Sequence, residues 1–173
     1  MPLVYLKMNG DLYTKNMNSS NRKGLGFGIT SGVITTLGLI IGLDASTHST
    51  TIVVTGIILI AIADALSDAF GMHISSEYEK KSTPKSVWQA TFSTFLSKFI
   101  FALTFIIPFL LFSLSVAIIV SVIYGLLLIW IISYILAKKQ HIKPYKVILE
   151  HVAITVLVIV VTYYLGNWLS TFS

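Results

Sequence analysis

In 173 residues the chain is 55% hydrophobic and only 11% charged, too few charges to clothe a water-facing surface, which excludes an ordinary soluble domain and points to an integral membrane protein. Its formal net charge of +5 comes from twelve Lys and Arg in three clusters that flank apolar runs, a topology signal and not a nucleic-acid surface. With no cysteine, disulfides and thiolate metal ligands are excluded.

Residues 1–23 hold Lys7, Asp11 and Lys15 and lack the apolar run of a cleavable signal, so they read as a cytosolic tail, with the transmembrane domain at 24–173. From Gly24 to Leu43 the sequence is apolar (GLGFGITSGVITTLGLIIGL), and at a rise of about 1.5 Å per residue it spans about 30 Å, enough to cross a bilayer. Gly24, Gly28 and Gly32 recur every fourth position, as do Gly38 and Gly42, which gives this first helix two faces for close approach. The short link from Asp44 to Thr50 returns a second, antiparallel helix, expected from about Thr51 to Ile74.

That second helix carries Asp64 and Asp68, although a carboxylate near the bilayer centre costs about 2.5–3.5 kcal/mol. At a spacing of four the two share one face about 6 Å apart, in a stripe that continues through Gly71, Met72 and Ser75. Ala61, Ala65 and Ala69 form a neighbouring stripe suited to close packing.

A third helix is expected from about Phe92 to Phe112, anchored by Trp88, with Lys98 snorkelling to the same surface and Pro108 in the last turn. Ser113 to Ser115 must form a hairpin, because without it the apolar run would reach about forty residues, beyond bilayer thickness. A fourth helix (Val116 to Leu136), a basic loop (Ala137 to Lys146) and a fifth helix (Val147 to Leu169, ending at Trp168) complete an all-α, five-helix plan. The basic clusters all fall on one side, while the opposite loops hold only Asp44 and His48, so the N-terminus is expected inside and the C-terminus outside.

Carboxylates buried together resist double ionisation, and such a pair either shares a proton or holds a cation. Asp64, Asp68 and the hydroxyls of Ser31, Thr35 and Ser67 make an oxygen-rich set for Mg²⁺, Mn²⁺ or Fe²⁺, to which Met72 and His73 add softer ligands. His73 lies about 140° round the helix from Asp68, so it shares the site only across a partner helix or at the cytoplasmic mouth. The expected function is divalent metal export, coupled to protons through the two aspartates. The alternative is a non-transporting membrane protein in which Asp68 pairs with Lys98, at similar depth, and holds helices together. The feature that would decide for this alternative is a basic residue facing Asp64, and none is found in the sequence. An enzyme is not expected: two aspartates on one helix do not oppose each other across a substrate, and no Ser-His constellation, phosphate loop or His-rich motif occurs.

The first two helices resemble those of the vacuolar iron transporter family, whose members export divalent iron or manganese from the cytosol. ITSGVITTLGLIIGL is similar to the family's hydroxyl-rich first helix, ADALSDAFGMHIS (Ala63 to Ser75) to its A-x-A-x-S-M-x-x-G-E-Y-x-S pattern, and YYLGNW to the close of its fifth helix. By this resemblance Ser31 stands where the family has its first-helix metal-binding Asp, Asp68 where it has Met, and Met72 where it has Glu; Asp64 stands at a usually small position. Glycine-rich faces and mid-membrane carboxylates gain from a partner that buries them, so a homodimer is expected, as the resemblance also implies; the expected cargo is Fe²⁺ or Mn²⁺, with no resident cofactor. The resemblance is to short, prokaryotic-type members lacking the cytosolic metal-binding domain, which implies the plasma membrane.

Overall fold

The computed structural model describes the backbone of residues 2–172, positions 81 and 140 excepted, and side chains from position 19 onward; the side chains of Lys7, Lys15 and Lys81 lie outside the described residues. Six α-helices follow in order: α1 Pro2–Thr47, α2 Thr50–Glu77, α3 Pro84–Thr104, α4 Ile106–Leu111, α5 Leu114–Lys139 and α6 Pro144–Leu169, with a closing 3₁₀ turn at Ser170–Phe172. Grouped by length and apolarity they make five spans, because α3 and α4 together form one from Pro84 to Leu111. The chain is an all-α, polytopic membrane protein.

Three boundaries differ from expectation. The first span lies within a helix that reaches back to Pro2, since no proline interrupts the ladder after position 2. The link to the second span shrinks to His48 and Ser49: His48 takes a left-handed φ of 47°, and the Ser49 hydroxyl caps α2 by accepting from the Ile52 N–H. The third span starts at Pro84, a full two turns before Phe92. There Thr83 and Ser86 form a reciprocal capping box and Pro84 supplies the preset φ of a first helical position.

The third span breaks at Phe105. Pro108 has no N–H to offer the carbonyl of Thr104 and its ring crowds that oxygen, so the ladder is interrupted there and resumes as α4. Tyr124 of α5 steadies the break by donating to Thr104 Oγ1 at 3.1 Å. The expected hairpin follows, with Ser113 accepting from the Ala117 N–H as α5 begins.

Helix α1 is the axis of the bundle, contacting α2, α3, α5 and α6. Its first glycine row lies on α3: a Cβ on Gly28 would come within 2.6 Å of the Thr94 carbonyl oxygen, and one on Gly32 within 3.1 Å of Lys98 Cγ. Gly38 and Gly42 instead face Val158 and Thr162 of α6, so both expected close-approach faces are used. The alanine stripe of α2 is buried as expected, Ala61 and Ala65 completely. Val33, Leu37, Ile57, Phe105 and Ile129 form the apolar core, whereas Leu59, Leu110, Leu149 and Tyr164 are among many large side chains left exposed on the outer wall. Such a wall suits lipid and not water.

Candidate cation site

Asp64 and Lys98 each stand halfway along a 28-residue span, on α2 and α3 respectively. Lys98 is only 1% exposed and is the largest fully buried side chain among the described residues. Its position inside the bundle corrects the expectation that it snorkels to a surface. Because the third span begins at Pro84, Lys98 is too deep for its four-carbon stem to reach a surface, and the glycine row of α1 leaves space for that stem beside Gly32. The basic clusters thus lose one member, and the loop charges on that side still carry the asymmetry.

The ammonium has three donors and meets three oxygens. It donates to Asp68 Oδ2 and, at 2.9 Å, to Ser31 Oγ, while Asp64 Oδ2 lies 2.6 Å away as an ion pair without the alignment of a hydrogen bond. Ser31 accepts from Lys98 and donates onward to Asp68 Oδ2 at 2.6 Å. Helices α1, α2 and α3 therefore each supply at least one member of a single cluster. That a basic residue does face Asp64 overturns the sequence expectation; one lysine serves both aspartates because their spacing of four puts both on the α3-facing edge of α2.

Ionised together, two carboxylates and one ammonium leave one negative charge without a counterpart. Among the described residues no other Lys or Arg pairs with Asp64 or Asp68. The cluster is also asymmetric in access: the Asp64 and Asp68 side chains are 27% and 22% exposed, but that of Lys98 is 2%. The carboxylates form the approachable face, with the ammonium sealed behind them.

The remaining expected ligands lie elsewhere. Met72 is buried along the alanine stripe, and Gly71, Ser67 and Ser75 are exposed, so the aspartate stripe turns out of the bundle beyond Asp68. His73 is engaged near the start of α3: Nδ1 is 3.0 Å from Thr91 Oγ1, the ring stands edge-on to Trp88 at 4.7 Å, and Nε2 is 3.6 Å from Glu77. Thr35 donates to the Ser31 carbonyl oxygen at 2.9 Å, which ties its hydroxyl to the backbone one turn above the cluster. Among the described residues no three of His, Asp and Glu converge as metal ligands do.

From Thr35 a groove lined by Gly38, Gly42, Ser46, Ile60 and Thr162 runs along α1 between α2 and α6 toward the end of the bundle opposite the basic loops. Compared with known proteins, the chain matches no protein-family model and no curated protein.

Proposed function

We propose that the chain carries a divalent cation across the membrane, with Asp64 and Asp68 as the carboxylates that hold it, Ser31 as a neutral oxygen beside them and Lys98 as the resident counter-ion the cation displaces. The observation that carries this reading is a pair of carboxylates, Asp64 at half-span and Asp68 one turn nearer the basic end, served by one buried ammonium and left partly exposed. A carboxylate kept only to neutralise a lysine needs one partner, and a second costs free energy in a bilayer unless a further positive charge visits it.

The cargo follows from the ligands. Two carboxylates and a hydroxyl are hard oxygen donors suited to Mn²⁺, Fe²⁺ or Mg²⁺. The resemblance to vacuolar iron transporters favours iron or manganese, export from the cytosol and a homodimer, in which a second copy would cover the open edge of the carboxylates. With the basic loops inside, the groove from Thr35 to Ser46 leads outward.

A second reading has its own support. Lys98 meets Asp64, Asp68 and Ser31 at once, which is how a structural lock between three helices is built. Uptake into liposomes across a panel of divalent metals, with and without a pH gradient, separates the two. The transporter reading expects pH-driven flux of at least one metal that Asp64→Asn and Asp68→Asn each remove. No flux of any metal, from protein that is folded and correctly inserted, leaves the lock.

A further inference from the structure

Arg22 and Lys139 line one groove on the lipid-facing wall, where the first turns of the first span pass the last turns of α5. Beneath them the walls are apolar, with Ile29 from α1 and Ile132 and Leu136 from α5. Gly26 opens the floor: nothing lies within 4 Å of where its Cβ would stand.

A slot that is cationic at the membrane surface and apolar toward the membrane interior complements a molecule anionic at one end and apolar along its length. We infer that this groove holds one anionic phospholipid of the leaflet on the basic side, its phosphate between Arg22 and Lys139 and an acyl chain over Gly26. The guanidinium offers a planar fork for phosphate oxygens and the ammonium a point charge beside it. Basic pockets between spanning helices recognise anionic headgroups on this principle. A choline headgroup brings its own cation to the same mouth and is disfavoured, and free phosphate makes no use of the apolar floor.

The test is native mass spectrometry of the full chain in mild detergent with equal phosphatidylglycerol and phosphatidylcholine. The unchanged chain should retain one phosphatidylglycerol in preference. Arg22→Gln with Lys139→Gln should weaken that binding on the order of tenfold, with phosphatidylcholine unaffected. Gly26→Leu should abolish retention of both lipids, and because the added side chain enters open space it keeps the fold and carries the test if the double variant does not express. Lys143→Gln with Lys146→Gln, at the start of α6, should change nothing. Equal retention of the two lipids by the unchanged chain overturns the site, as does equal loss in the Lys143/Lys146 variant or undiminished retention in Gly26→Leu.

Discussion

Lys98 and Asp64 meet at the midpoints of their two spans, Nζ to Oδ2 at 2.6 Å. Asp68, one turn along α2, takes the same ammonium. The cluster therefore has one carboxylate more than charge pairing of a lysine requires. That surplus makes single and double substitutions behave differently.

Asp64→Asn or Asp68→Asn leaves Lys98 with one carboxylate, a neutral pair, at nearly unchanged side-chain volume. Each single variant should fold and unfold within about 1 kcal/mol of the parent, because conservative replacement keeps packing. The double variant leaves a buried ammonium with no counter-charge and should lose about 3–5 kcal/mol. Unfolding in detergent by thermal or denaturant titration reads the difference. Additive losses in the double variant would mean that the second carboxylate does not stand in for the first.

Much of this arrangement was legible in the sequence. Carboxylates in an apolar helix announce themselves, and a spacing of four places them on one face, as found for Asp64 and Asp68. The pairing of Asp68 with Lys98 is legible as well, but that the same lysine reaches Asp64 is hidden by an element boundary. Hydropathy alone starts the third helix near Phe92, which leaves Lys98 within two turns of a surface. Thr83, Pro84 and Ser86 are the local signal of an earlier start, and counting from them puts Lys98 at mid-span. For His73 the helical angle gives the direction of the side chain but not which neighbour receives it, and here Thr91 and Trp88 do.

The glycines make a paired prediction about packing. Gly28→Ala puts a Cβ 2.6 Å from the Thr94 carbonyl oxygen, forcing α1 away from α3 near the cluster, and should cost about 1–3 kcal/mol as overpacking does. Gly71→Ala meets nothing within 4 Å on an exposed helical face and should stabilise by about 0.5–1 kcal/mol through helix propensity. Melting temperatures of the two variants in one detergent should move in opposite directions.

Orientation is checked by labelling. Five spans among the described residues put the two ends of the bundle on opposite sides, and by the positive-inside rule the basic loops should be cytoplasmic. A reporter after Ser173 should be accessible from outside, and one inserted between Lys80 and Lys85 should be accessible only from the cytoplasm. The reverse pattern would invert the direction of transport drawn from the groove above Thr35.

The sharpest prediction concerns the proton on Lys98. A net charge in the bilayer core carries a large desolvation cost, so the states that cross should be neutral at the site. With Lys98 charged, neutrality needs one proton on either carboxylate. With a divalent cation between two ionised carboxylates, neutrality needs Lys98 uncharged. Passing from the first state to the second releases two protons, one from the carboxyl group and one from the ammonium, for each divalent cation bound. Exchange in proteoliposomes should accordingly be insensitive to a clamped membrane potential, with proton flux about twice metal flux. Arginine cannot give up its proton in a protein, so Lys98→Arg should keep the ion pairs and the fold but leave an extra positive charge when the cation binds. Lys98→Met retains two neutral states, both carboxyls protonated or the cation bound, and these differ by the same two protons. Transport should therefore survive Lys98→Met and fail in Lys98→Arg, the reverse of what a structural ion pair demands. Measured metal flux in the two variants decides the matter: activity in Lys98→Arg together with collapse of Lys98→Met would assign Lys98 to holding the helices and remove it from the transport cycle.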